Sequence, residues 1–301
     1  MAIDPLSTVI ALLRPRTVFS KVISGAGRWA ARYSEFGQPS FCAVLEGGCL
    51  LAIDKQSPLT LAAGDFVLLP ATPGFTMTSF EPGTPVDVDA RAAAAETVTG
   101  EVRHGTRGGR PDVRMLGGYF EFESPDSALL VSLLPAVVHV RGSERLPLLV
   151  GLVREESLAR KPGRDLVLTR LVEVLLIEAL RAAPGEQAKP GLLRGLTDKR
   201  LAVALRNMHA DPARAWTVEQ LARKSALSHS AFFDRFARAV GLAPMEYLLA
   251  WRMAVAKDLL RREDLAISDV AARVGYASAS TFSTAFRRQV GLPPGEYART
   301  R

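Results

Sequence analysis

The chain has 301 residues, 48% of them hydrophobic, and carries 38 Lys and Arg against 31 Asp and Glu, a formal net charge of +7. No apolar run reaches the roughly eighteen residues of a membrane-spanning helix, so no membrane association is expected. Two cysteines cannot build the disulfide framework of a small secreted domain, and the length suits two domains with a core each.

Residues 1–13 hold Asp4 and no basic stretch, which does not read as a signal peptide, and a cytoplasmic location is the expectation. Leu6, Val9, Ile10 and Leu13 instead fall at the spacing of a short amphipathic helix. From there to about residue 140 the pattern is of short strands broken by Gly and Pro. Phe41 to Leu45 and Cys49 to Asp54 flank Gly47-Gly48 as the arms of an expected hairpin. Phe66 to Leu69 is a strand that Gly64-Asp65 introduces and Pro70 ends, and Val113 to Glu123 is a later one. Many short strands of this kind favour a barrel or sandwich.

In such a hairpin Cys42 opposes Ile53, which puts the thiols of Cys42 and Cys49 roughly 13 Å apart. A disulfide needs Cα atoms within about 7 Å. The two cysteines therefore read as small buried hydrophobes, with thiolate oxidation or intermolecular pairing as the redox alternative.

Two helices follow, Leu146 to Leu158 and Leu166 to Ala183. On the second, Leu168, Leu171, Val172, Leu175, Leu176 and Ala179 form a wide apolar stripe that either covers the barrel or meets a second copy of the chain. Ala183 to Gly191, with two Pro and two Gly, has the composition of a linker. The domains expected are 1–183, a linker at 184–195, and 196–301.

The last hundred residues repeat themselves. Leu221-Ala222 recurs as Val270-Ala271, and Ser228, Phe232, Phe236, Gly241, Pro244 and Tyr247 recur fifty positions later as Ser278, Phe282, Phe286, Gly291, Pro294 and Tyr297. Each copy reads as a short helix (Val218 to Lys224; Ile267 to Val274), a turn, a serine N-cap and a second helix whose two phenylalanines face inward. Thr217-x-x-Gln220 is a capping box for the first. From Leu192 on there are eighteen Lys and Arg against ten Asp and Glu, and before it twenty against twenty-one, so the excess positive charge sits on the repeat. Clustered cations that displace counterions are what duplex DNA demands.

The stretch Ile267-Ser268-Asp269-Val270-Ala271-Ala272-Arg273-Val274-Gly275-Tyr276 through Arg287-Arg288, closing with Gly291-Leu292-Pro293-Pro294-Gly295-Glu296-Tyr297, resembles the signature of AraC/XylS-type transcription regulators. The resemblance covers about Asp198 to Arg299, including a long connecting helix around Met245 to Leu260. It implies two recognition helices in successive major grooves about 34 Å apart. Leu45-Glu46-Gly47 followed by Ala63 to Pro70 resembles the cupin-like sensory domains of the same regulators. The fold expected is thus α+β: an N-terminal cupin-like β-barrel with flanking helices, and a C-terminal all-α domain of two helix-turn-helix units joined by a long helix. The family implies dimerisation through helices at about 144–183, and hence a homodimer.

On the recognition helices, His229, Ser230, Phe233 and Asp234 in the first unit and Ala279, Ser280, Ser283 and Thr284 in the second point away from the phenylalanines and are the base-reading candidates. Arg235, Arg238, Arg287 and Arg288 are the phosphate candidates. With no Arg or Gln at the central outward positions, reading is expected to lean on hydroxyls, thymine methyls and DNA shape. Asp234 either accepts from a cytosine amino group or, the favoured role, pairs with Arg238.

Metal cupins gather histidines and a carboxylate, yet His104 and His139 are the only histidines in this domain, and a site needs three or four convergent ligands. No metal, no other cofactor and no catalytic residue is expected. Phe41 and Phe75, standing where metal cupins place histidines, imply an apolar pocket for a small organic effector. The function expected is a sequence-specific regulator of transcription controlled by an effector or redox signal, with double-stranded DNA as partner and RNA polymerase as a second one if it is an activator. The alternatives are oxidant sensing through Cys42 and Cys49, a cupin-type enzyme fused to a DNA-binding domain, and a DNA-repair methyl acceptor, for which two cysteines are too few.

Overall fold

Leu6, Val9, Ile10 and Leu13 do form one buried face of a helix, α1 (Pro5–Leu13), which Asp4 starts by accepting from the N–H of Ser7 at 3.2 Å. The computed structural model describes residues 4–35, 37–89, 101–124, 127–159, 161–183, 190–262 and 264–299. The chain divides into two compact units, neither of them continuous in sequence. One comprises Arg14–Phe122 with Ala136–Pro184; the other comprises Met1–Leu13, Glu123–Pro135 and Gly185–Arg301.

The first unit is a ten-stranded sheet folded on itself: β1 (Pro15–Ala26), β2 (Ala30–Tyr33), β3 (Ser40–Ile53), β4 (Leu59–Ala62), β5 (Phe66–Leu69), β6 (Phe75–Thr78), β7 (Pro85–Val88), β8 (Val102–Gly105), β9 (Val113–Phe122) and β10 (Val138–Val140). The main path runs β7-β2-β6-β3-β9-β1-β8. β3 departs from the hairpin expected of its sequence. Gly47-Gly48 is not a hairpin turn; residues 40–53 are one strand that changes partners midway. Ser40 to Ala43 lie between β5 and β9, whereas Leu50 and Leu51 lie between β4 and β6. The switch coincides with a break in the β9 register between Val44 and Glu46 and with Gly47 at φ +69, where a Cβ would stand 1.7 Å from the Asp112 carbonyl oxygen. A strand that passes from one sheet face to the other through a bulge is a standard barrel corner, and Gly-Gly marks such a bend as readily as a turn.

The barrel core gathers Trp29, Val44, Leu51, Phe75, Met77 and Met115, among others. Against β1 lie α3 (Arg145–Leu158) and α4 (Arg164–Ala182), packed on each other. The α4 stripe at Leu168, Val172, Leu175, Leu176 and Ala179 is buried within this unit, with Leu171 half-buried. Of the two roles open to it, it takes that of covering the sheet.

The second unit is all helical. It holds α1, α2 (Ser127–Ser132), α5 (Leu192–Thr197), α6 (Leu201–Ala210), α7 (Val218–Lys224), α8 (His229–Val240), α9 (Pro244–Arg262), α10 (Ile267–Arg273), α11 (Ala279–Val290) and α12 (Pro294–Arg299). The division differs from the contiguous domains expected, because α1 and α2 pack on each other and on α9, and α1 also on α6. Leu130 and Leu133 at α2 lie beside Tyr247, Trp251 and Ala254 of α9. Of the expected linker, residues 184–189 lie outside the described residues.

Candidate functional site

Each helix-turn-helix unit is built by local chemistry that the repeat duplicates. Thr217 caps α7 with the reciprocal pair expected: its Oγ1 accepts from Gln220 N at 3.2 Å, and Gln220 Oε1 accepts from Thr217 N at 3.3 Å. Ser228 and Ser278 cap α8 and α11, each accepting from the backbone N–H three residues on. Gly241 and Gly291 end those helices at φ +85 and +86, the left-handed cap that glycine favours. Pro244 and Pro294 then open α9 and α12, where a missing N–H costs nothing.

Inside, the rings repeat as closely as the sequence. Phe232 and Phe236 have centroids 5.6 Å apart at 49°, Phe282 and Phe286 5.4 Å apart at 53°. Tyr247 meets Phe236 edge-on at 5.7 Å, and Tyr297 meets Phe286 edge-on at 5.4 Å. All four phenylalanines are fully buried, so the opposite faces of α8 and α11 are free to meet a groove.

On α8, His229, Ser230, Phe233 and Asp234 are all exposed, and Phe233 retains 40% of its surface. His229 Nε2 lies 4.0 Å from Glu219 Oε1 of α7. On α11, Ser280 and Thr284 are exposed and Ala279 and Ser283 half-exposed, and the Thr284 hydroxyl donates to Ser280 O at 3.1 Å. Arg238, Arg287 and Arg288 are exposed beside these positions. The ion pair expected between Asp234 and Arg238 is not formed; the acid stays exposed, because Arg238 reaches no carboxylate among the described residues. Arg235 instead pairs with Asp198, whose other oxygen accepts from Arg200 N at 3.0 Å and Leu201 N at 3.3 Å. Burial pushes the Asp198 carboxyl up, but the bonds from Arg235, Leu201 and Arg200 bring it below the usual carboxylate range.

The repeat hid one feature. Where α5 turns into α6, Arg194, Lys199 and Arg200 form one wall of an open groove of about 810 Å³ whose other wall is α8, with Asp234, Arg235 and Arg238. The dipeptide Lys199-Arg200 was visible as charge, but it lies upstream of the repeated segment and carried no pattern.

In the barrel, Phe41 and Phe75 are brought to one cavity of about 100 Å³, walled by Leu51, Leu69, Met77 and Val88 and touched by Lys21, Tyr33 and Tyr119. Cys42 lines it as well, with Sγ 3.4 Å from Met115 Sδ. Because β3 is one strand, Cys42 and Cys49 stand seven positions apart along it rather than on facing arms, and both are free thiols of the same core. Burial pushes both thiols up, Cys49 to about 12. The two histidines are used separately: His139 Nε2 lies 3.0 Å from Asp65 Oδ2, and His104 stacks on Trp29 at 5.6 Å. Among the described residues no three of His, Cys, Asp and Glu gather as metal ligands. None of the helices searched is long and apolar enough to cross a membrane.

Comparison with known proteins matches residues 4–183 to a family described as "Cupin" and residues 221–300 to one described as "Helix-turn-helix domain". An AraC-like transcription regulator of Streptomyces lividans and one of Streptomyces antibioticus are each 36% identical over 98% of this chain and 98% of their own. Among solved structures, the DNA-binding domain of AdpA, a global transcriptional factor in complex with a target DNA, is 33% identical over 33% of this chain and 86% of its own, with a TM-score of 0.30.

Proposed function

Because the chain belongs to the AraC-like transcription regulators, with a cupin domain ahead of a DNA-binding helix-turn-helix domain, we propose that it is an effector-responsive one whose ligand occupies the barrel cavity. The observation that carries this reading is the cavity itself. Its lining is mainly apolar and its volume of about 100 Å³ suits a small organic molecule, since such sites are concave, apolar and few per protein. Aliphatic and aromatic walls supply buried area, and Lys21, Tyr33 and Tyr119 supply the few polar groups that orient a small organic molecule.

In this reading Ser230, Phe233 and Asp234 of α8 and Ser280 and Thr284 of α11 meet base edges, and Arg238, Arg287 and Arg288 hold phosphates. Control by oxidation of Cys42 and Cys49 is disfavoured, since the thiolate is the reactive form and burial keeps both thiols protonated. The homodimer forms not through the α4 stripe but through the surface beside it. Leu148 and Leu152 on α3 and Leu166 on α4 keep 69%, 49% and 63% of their surface uncovered by their own chain.

The test is a melting screen of the full chain against small aromatic and aliphatic compounds, followed by DNA binding with every compound that stabilises it. A ligand at 100 times its Kd should add about 2.7 kcal/mol of stability. It should also change DNA affinity several-fold, and Cys42→Phe, which fills the cavity, should abolish both effects. Stabilisation with unaltered DNA affinity would sink the reading. For the dimer, Leu148→Glu with Leu152→Glu should give folded monomers in sedimentation velocity, and an intact dimer would refute that surface.

A further inference from the structure

The groove beside α8 has a composition that the reading helices do not explain. Five cations and two carboxylates line it, and one carboxylate, Asp198, is already occupied by Arg235 and by the start of α6. Arg194, Lys199, Arg200 and Arg238 are left with no carboxylate partner among the described residues. Like charges crowded into one concavity repel unless an anion joins them, so the groove is built for an anionic occupant.

Its walls decide which anion. The apolar part consists of Leu227, Ala231 and Ala239, and among the described residues no aromatic ring lines it, so it offers no platform on which a nucleobase could stack. That argues for a sugar-phosphate strand over a free nucleotide. Position argues the same way, because Asp234 and Arg238 belong both to the groove and to the outward face of α8, so a DNA strand held there continues directly from the bases that α8 would read.

Resting on the reading of α8 as a DNA-reading helix, we propose that Arg194, Lys199 and Arg200 form a phosphate clamp that extends the first unit's grip on the DNA backbone beyond its helix-turn-helix. These three residues lie upstream of the repeated segment, so the repeat does not duplicate them in the second unit.

The experiment uses the full chain and a mixed-sequence 40-base-pair duplex, with affinity measured by fluorescence anisotropy between 50 and 200 mM salt. Each phosphate neutralised contributes about 0.9 to the slope of log affinity against log salt. Lys199→Gln with Arg200→Gln should therefore make the slope shallower by about 2, and adding Arg194→Gln by nearly another unit. Arg154→Gln with Arg170→Gln, on the barrel unit, should leave it unchanged. Lys199 and Arg200 are exposed, so the pair should fold; near-wild-type melting together with recovery of the slope in Lys199→Arg with Arg200→Lys would exclude a folding artefact. A steep wild-type slope that the Gln variants do not alter would overturn the clamp while leaving the DNA-binding reading intact, and would point to an acidic protein partner instead. A flat wild-type slope would overturn the reading itself. Titration with inorganic triphosphate is the remaining arm: binding lost in the Gln variants with an unaltered duplex slope would assign the groove to a free phosphate ligand and overturn the proposal.

Discussion

The two helix-turn-helix units have nearly the same ring geometry, yet their surroundings are different. The first is flanked by α5 on α8 and by α6 on α7, with α1 and α2 packed on α9; its Tyr247 hydroxyl is bonded to His209 Nε2 at 2.6 Å, and His209 stacks on Trp251 at 3.9 Å. The second packs chiefly on α9 and α12, and its Tyr297 ring lies beneath the Arg261 guanidinium at 4.9 Å. Their turns also differ: Ala226 takes a left-handed φ of +52, a strained value for alanine, whereas the second unit has Gly275 at +83. Duplicated parts thus hold what the reading helix needs in order to stand correctly. The parts that differ connect one unit to the rest of the chain.

The largest test of that equivalence is removal of a core ring. Phe236→Ala and Phe286→Ala should each cost about 3–5 kcal/mol, since both leave a ring-sized hole in a fully buried site. Urea unfolding with hydrogen exchange on the full chain would measure both. If one site tolerated the loss at under about 1 kcal/mol, the two cores would not be equivalent.

Acid should separate the units. Burial pushes His209 down to about 3, against an ordinary value near 6.5 in the unfolded chain, so the unfolded state takes up the proton first. The contribution of the neutral ring is complete above pH 6.5 and declines as pH falls toward 3, by up to about 1.4 kcal/mol per unit. At pH 5 the first unit should be weaker by about 2 kcal/mol. Hydrogen exchange at pH 7 and pH 5 should register this in α6 and the start of α9 and not in α11. His209→Phe should remove the pH dependence; equal acid sensitivity in both units would refute the assignment.

The turns should respond with opposite signs. Gly275→Ala should cost about 2 kcal/mol, because it combines a left-handed backbone with a Cβ 2.5 Å from the Ala213 carbonyl oxygen. Ala226→Gly should change stability by less than about 1 kcal/mol, in the stabilising direction. Smallest is the cap. Thr217→Ala should lose about 1 kcal/mol, and Ala266→Ser, which supplies the side-chain cap that α10 lacks, should gain about half of that. Chemical denaturation of the four variants decides the signs.

The repeat was legible because caps, turns and inward rings are local events whose residues lie within a few positions of each other. Thr217, Ser228, Phe232 and Gly241 all sit where their types and spacing place them. The bend in β3 was not legible, since Gly47-Gly48 between apolar runs serves a hairpin and a barrel corner equally well, and only pairing with distant strands chooses between them. Periodicity likewise marked the α4 stripe as apolar without saying what it faces. The meeting of Phe41 and Phe75 was reached from the resemblance. Arg194, Lys199 and Arg200 carried no repeat and no periodicity, and only the fold brings them to one groove with α8.

The place of α1 sets a problem of timing during synthesis. Its helix leaves the ribosome well before its partners α6 and α9, which lie about two hundred residues later. At about 5–20 residues per second the nascent chain carries Leu6, Val9, Ile10 and Leu13 for roughly 10 to 50 s before α6 and α9 are made, with α2 as the earlier partner. Nine residues are too few to hold a helix alone in water, so this segment waits as an apolar strip without a shape. A chaperone meeting the growing polypeptide would have that interval in which to hold it.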